Sequence, residues 1–238
     1  MPAARTRKPL FITLEGTEGS GKSTLISALK IALEARGISS ISTREPGGAK
    51  LAEKIRALLI NDEMHPMTEL FLYEAARSEH LHTVILPALE KGYWVLCDRF
   101  TDSSLAYQGT ARGIDRGLIR KLNGFATANK VPDVTVFLDI DPEAGLVSVS
   151  APNRFEREGV DFQNRVRKGF LQTIKEEPKR FIKLRAKNGN AEEMAARCIR
   201  KLEEKLKTKF KVMSVPEARA ATKSAANLNA KSSRRAKR

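Results

Sequence analysis

Cysteine, histidine and long apolar runs are scarce in this chain, and each scarcity removes a class of protein. Only two cysteines, Cys97 and Cys198, occur in 238 residues. They fall in separate predicted elements, which suits a reducing cytoplasm better than a disulfide-stapled secreted domain, and both read as small apolar packing residues. No stretch approaches the roughly 20 apolar residues that cross a bilayer. The charged start, Met1 to Pro9, is not followed by the apolar core of a signal peptide. The expectation is a soluble, cytoplasmic protein without a membrane partner. His65, His80 and His82 form no metal-ligand pattern.

Acidic residues are also scarce, but only at one end. The net charge is +15, yet residues 1–164 hold 20 Lys and Arg against 21 Asp and Glu. The excess is +10 over 165–213 and +6 over 214–238. A basic balance invites a nucleic-acid reading, and its position confines that reading to the C-terminal third. With 41% hydrophobic residues the chain can bury one sizeable core. The expected organisation is a flexible N-terminus over 1–8, one domain over 9–213 and a disordered basic tail over 214–238. In that tail Ala, Lys, Arg, Ser and Asn follow no period.

What is present alternates in period. Leu10 to Leu14 is a short apolar, β-favouring run that ends in a glycine-rich loop. Leu25, Leu29, Ala32 and Leu33 then recur at helical spacing until Gly37 stops the helix. Ile38 to Thr43 reads as a second strand, closed by the turn Arg44-Glu45-Pro46-Gly47-Gly48. Leu51, Ile55, Leu58 and Leu59 mark another helix, and a longer amphipathic one runs from about Met67 to Lys91, with a bend expected at Pro87. Tyr93 to Cys97 and Val134 to Ile140 are further strands, and both lead into acids. Short apolar strands alternating with helices imply an α/β fold: a parallel sheet wrapped by helices, with its functional loops at the C-terminal strand ends.

One of those loops carries explicit chemistry. Gly16-Thr17-Glu18-Gly19-Ser20-Gly21-Lys22-Ser23, followed by Thr24, matches the phosphate-loop pattern G-x-x-x-x-G-K-[ST]. Glycines let backbone N–H groups converge on a phosphate, the helix start faces the same anion, Lys22 adds a cation and Ser23 is placed to ligate Mg2+. The pattern says nucleotide, not reaction, because GTPases, ATPases and small-molecule kinases share it.

Three further segments narrow the choice: Thr43-Arg44-Glu45-Pro46-Gly47-Gly48, Tyr73-x-x-x-Arg77, and Asp98-Arg99-Phe100 followed by Ser104-Leu105-Ala106-Tyr107-Gln108-Gly109. In order and spacing, over roughly residues 9–210, they resemble the bacterial thymidylate kinase family. The resemblance implies a P-loop three-layer α/β sandwich with a mainly parallel five-stranded sheet and a short lid near 150–162. It implies Mg2+-dependent transfer of the ATP γ-phosphate to dTMP by a homodimer.

By that resemblance Tyr73 stacks on thymine while Arg77 donates to a base carbonyl; their four-residue spacing puts both on one helix face. A core residue beside a surface arginine would show the same spacing. Asp98 would reach Mg2+, and Arg99 with Arg44 would grip the acceptor phosphate near Pro46, although a surface ion pair is the plainer reading of Asp98-Arg99. Ser104, Tyr107 and Gln108 would line the deoxyribose and base edge, with Tyr107 crowding a 2′-hydroxyl. Glu18 would face the sugar's 3′-hydroxyl, or simply solvent. Glu45–Pro46 is expected to be cis. Arg154, in Asn153-Arg154-Phe155-Glu156-Arg157-Glu158, aligns with the lid arginine, but Val147 to Pro152 replaces the family's usual basic stretch. The family's Ile-Asp-Ala is Leu184-Arg185-Ala186 here, which weakens the case for a last strand. Two other readings stay open: another nucleoside monophosphate kinase, or a P-loop protein that binds nucleic acid through its basic C-terminal third.

Overall fold

The computed structural model describes residues 8–148, 154–186 and 190–210. The expectations for the first seven residues, the basic tail from 214 and the lid stretch 150–153 lie outside the described residues. Among the described residues five strands form one fully parallel sheet: β1 (Phe11–Glu15), β2 (Ser40–Arg44), β3 (Trp94–Asp98), β4 (Val134–Asp139) and β5 (Phe181–Arg185). Their spatial order is β2-β3-β1-β4-β5. β1 and β4 are buried along their whole length, as expected for strands covered on both faces. At the edge, β5 alternates, exposing Lys183 and Arg185. The strand doubted at Leu184-Arg185 therefore forms, because Phe181, Ile182 and Leu184 bury enough apolar surface whatever residue follows.

Among the described residues ten α-helical segments wrap the sheet: α1 (Lys22–Glu34), α2 (Lys50–Asn61), α3 (Pro66–His80), α4 (Leu86–Glu90), α5 (Thr101–Ser104), α6 (Arg116–Ala126), α7 (Pro142–Val147), α8 (Arg154–Arg157), α9 (Gly159–Glu176) and α10 (Ala191–Leu206). Strand periodicity assigns the layers. Ile12, Leu14, Trp94, Leu96, Val134, Val136 and Leu138 pack with Leu25, Leu29 and Leu33 of α1 and with Cys198, Ile199 and Leu202 of α10. The alternate residues Phe11, Val95 and Cys97 pack with Leu81, Ile85 and Ala88 on the other face. Both cysteines are buried and free, as read from the sequence.

Between α3 and α4 the helix widens into a π turn, Leu81–Ile85. Pro87 sits just after it. A proline cannot donate to the ladder and its ring crowds the carbonyl four residues earlier, so a widened turn accommodates it. A second π turn, Leu105–Ala111, follows α5. Leu51 and Leu58, which marked α2 in the sequence, are about half exposed, and Ala52 and Leu59 supply its buried face.

Candidate active site

Because β3 and β4 flank β1 on opposite sides, the C-terminal end of β1 opens at the point where strand order reverses, where open α/β sheets leave a crevice. The loop Gly16 to Gly21 starts there and runs into α1. At Gly19, φ is +69°, and an added Cβ would lie 1.9 Å from the Gly145 carbonyl of α7, so only glycine fits. Ser20 Oγ donates to the Thr17 carbonyl at 2.9 Å. Lys22 folds back over the loop, donating to the carbonyls of Thr17 at 3.0 Å and Gly16 at 3.3 Å. Burial, and then Arg99, lowers its pKa. Thr24 is exposed in the first turn of α1.

Ser23 Oγ donates to Asp98 Oδ2 at 2.9 Å, so the two groups read as metal ligands from the sequence are in contact. Asp98 Oδ1 is buried and has no hydrogen-bond partner among the described residues. A buried carboxylate oxygen without a donor is a costly feature that a hard divalent cation relieves, and hydroxyl plus carboxylate suits Mg2+.

Arg99 joins two halves of the site. It stands at φ +68°, in the left-handed region, at the tip of β3. Its guanidinium donates to the Gly16 carbonyl at 3.0 Å, to Ser103 Oγ at 3.3 Å and to Glu18 Oε1 at 2.7 Å, and it lies 4.9 Å from the Tyr107 ring centroid. Tyr107 donates to the same Glu18 oxygen at 2.8 Å. Burial opposes the charge on Glu18, but Arg99, Lys22 and the Tyr107 hydroxyl outweigh it and hold its pKa below the ordinary value.

Beside Arg99 a cleft of about 540 Å³, its open mouth included, is lined by Glu18, Pro46, Tyr73, Arg77, Tyr107 and Gln108 among others. All six were singled out in the sequence. The π turn contributes two consecutive residues, Tyr107 and Gln108, to that lining. The Glu45–Pro46 bond is cis, as expected. Tyr73 is held un-ionised by burial and by Glu69.

Arg77 is 1% exposed and commits four of its five N–H groups, donating to Glu45 at 2.8 Å, Glu74 at 2.9 Å, Asn123 at 2.7 Å and the Phe100 carbonyl at 3.2 Å. His80, given no role from sequence, is fully buried behind it, 3.0 Å from Glu45 and 2.6 Å from Thr43 Oγ1.

Other predicted residues lie apart from the cleft lining. Arg44 is 54% exposed and held on both oxygens of Glu53 at 3.0 Å. Ser104 is buried, and its hydroxyl has no partner among the described residues. Arg154 donates to the Leu59 carbonyl at 3.0 Å and to the fully buried Glu69 at 2.7 Å. Glu69 also receives Gln108 and Arg112. Glu45, Arg56, Phe100, Ser103 and Phe155 line the cleft without having been picked out as site residues. The signal available for the first was an acid directly before the turn proline, and for Ser103 its place one residue from Ser104.

The sequence model described as thymidylate kinase matches residues 14–198. A thymidylate kinase of Desulfosudis oleivorans is 45% identical over 207 residues, covering 82% of this chain and 96% of that protein. One of Bacillus cereus is 43% identical over 207 residues, covering 84% and 99%. The crystal structure of thymidylate kinase from Ehrlichia chaffeensis superposes with a TM-score of 0.66 at 32% identity, covering 82% of this chain and 98% of that one.

Proposed function

This chain belongs to the thymidylate kinase family of phosphotransferases, and from that premise we propose how its residues move the γ-phosphate of ATP onto dTMP, giving dTDP and ADP. The observation that carries the reading is the position of Arg99, which touches Gly16 of the phosphate loop and lines the cleft with the same guanidinium. A cation so placed serves two phosphates that meet end to end.

ATP lies on the loop, its phosphates received by the amides from Gly16 to Thr24 and by Lys22, which exchanges its loop carbonyls for phosphate oxygens. Ser23 and Asp98 would hold Mg2+ with ATP, and that ion would supply charge compensation for the phosphate oxygens. The acceptor's thymine enters between Tyr73 and the Tyr107–Gln108 turn. Arg77, four of whose five N–H groups go to Glu45, Glu74, Asn123 and Phe100, fixes the wall of that slot and faces the base from it with one Nη2 N–H left to donate. Glu18 meets the sugar hydroxyl, and the Tyr107 ring crowds the 2′ position.

The nucleophile is a phosphate oxygen of dTMP, largely dianionic near neutral pH, so no general base is required. As its bond to the γ-phosphorus forms, the bond to the β,γ-bridging oxygen breaks, and ADP takes the electron pair. Alignment and charge are the catalysis: Lys22 and Arg99 offset repulsion between the two anions, with Arg44 swinging from Glu53 onto the acceptor phosphate. Arg154 would serve as the lid arginine only by leaving Glu69.

We further place the enzyme in the cytoplasm as a homodimer. Among the described residues no helix is long and apolar enough to cross a membrane. Leu51, Leu58 and Phe71 are exposed on the neighbouring helices α2 and α3, an apolar area that a second copy would cover. Sedimentation at two protein concentrations reads this directly, and a monomer at both ends it. A panel of dTMP, dUMP, CMP, UMP and AMP tests the acceptor; the reading fails if dTMP is not preferred.

A further inference from the structure

Two carboxyl groups are buried side by side beneath the phosphate loop, and only one has a cation. Asp102, on α5, receives both terminal nitrogens of Arg180, at 2.7 and 2.8 Å. Glu15, at the end of β1, is fully buried and, among the described residues, has no Lys, Arg or His within ion-pair distance. Its Oε1 accepts from the Phe100 backbone N–H at 2.8 Å, and its Oε2 lies 2.6 Å from Ser103 Oγ. A carboxylate taken out of water without a counter-ion, beside a second acid already paired with Arg180, is the costly arrangement, and the carboxylic acid is the stable one.

Ser103 fixes what that proton does. A hydroxyl has one hydrogen to donate and two lone pairs to accept with. Arg99 Nη1 donates to Ser103 Oγ at 3.3 Å. If Glu15 also donates to it, both lone pairs are used and the hydroxyl hydrogen is free to point into the cleft that Ser103 lines. If Glu15 is ionised, that hydrogen turns to Glu15, and the cleft faces an oxygen that repels an anion.

We propose that Glu15 is a positioning residue that holds its proton, donates it to Ser103, and thereby makes the Ser103 hydroxyl a hydrogen-bond donor to the acceptor phosphate beside Arg99. This rests on the acceptor occupying the cleft as described above.

The charged groups facing Glu15 agree. Burial and then Asp102 push its carboxyl up to about 8, against the opposing pull of Ser103, Arg99 and the Phe100 N–H. Lys22 on α1 is a further positive neighbour. On β3, the buried Cys97 thiol is pushed up by burial, with Glu15 among the acids that add to this, so it stays neutral. β4 places Phe137 opposite Glu15. An incoming dianion strengthens the preference for the protonated form.

The test is dTMP binding to the full chain, by calorimetry without ATP, between pH 7 and 9 in two buffers of different ionisation enthalpy. Protonation linked to binding should weaken wild-type affinity about tenfold from pH 7 to 9, with proton uptake near pH 8. Glu15→Gln, an isostere that donates at every pH, should keep pH 7 affinity and lose both the slope and the proton uptake. Ser103→Ala should bind weakly at pH 7 and show no slope, and it keeps the test open should Glu15→Gln not fold. Flat wild-type affinity, a slope surviving in Glu15→Gln, or a wild-type slope in Ser103→Ala each overturns the proposal. Absence of wild-type dTMP binding at pH 7 would instead overturn the acceptor assignment, and this proposal with it.

Discussion

The donor and acceptor sides of this site are built in opposite ways. The phosphate loop is one contiguous segment in which glycines, lysine and helix start adjoin in sequence, and its binding groups are largely backbone. The acceptor cleft collects the Pro46 turn, α3, the tip of β3, the second π turn and α8. Buried ion pairs hold these pieces together, Arg77 on Glu45 and Glu74, and Arg112 and Arg154 on Glu69. A backbone cradle keeps its shape when a nearby charge is deleted. A cleft propped by buried charges does not, because removing one partner strands the other.

Substitutions at the centre of each side should separate them most. Arg77→Ala leaves Glu45 and Glu74 buried without their cation and should lower unfolding free energy by about 3–5 kcal/mol, read by urea denaturation. Lys22→Ala removes a buried cation held by loop carbonyls, so stability should hold while phosphoryl transfer falls by about 10² to 10³. Arg99→Ala should lose a similar factor and also raise KM for dTMP, since its guanidinium touches both the phosphate loop and the cleft. Equal stability losses in Arg77→Ala and Lys22→Ala would erase the contrast. A smaller effect is expected at the sugar, where Tyr107→Ala should reduce the preference for dTMP over UMP by about tenfold. Unchanged selectivity would remove Tyr107 from that role.

A pH series sharpens the comparison below the loop. Glu15 ionises near 8 when folded and near 4.5 when not. Between those values the folded chain retains a proton that the unfolded chain has released, so this group's contribution lowers stability as pH rises from about 5 to 8. The melting temperature of Glu15→Gln relative to wild type should therefore climb across that window. A constant difference would mean that Glu15 is ionised in the fold.

The same division governs what the sequence discloses. Gly16 to Ser23 is legible because its function is local: each residue's role follows from its neighbours. The parallel sheet was legible for a related reason, since fully buried strands read as unbroken apolar runs. Glu15, Glu45, Glu69 and His80 were not. Each lies on a strand, turn or helix where a polar residue ordinarily faces water, and each is buried only because a partner 30 to 90 positions away meets it. Arg77 illustrates the limit: sequence placed it in the cleft with Tyr73, while its anchoring by Glu45, Glu74 and Asn123 required the fold. The π turns escaped for another reason. They widen a continuing helix without breaking its amphipathic pattern, and Pro87 marked only the place where one was needed.

A donor on the loop and an acceptor in the cleft are proposed to meet at Arg99. Quantifying ADP and dTDP together, in the full chain with saturating ATP and Mg2+ and with dTMP varied, tests it most directly. One dTDP for each ADP, and almost no ADP without dTMP, is the expected result. ADP released at the same rate with or without dTMP would show that the two sites do not face each other, and would contradict it.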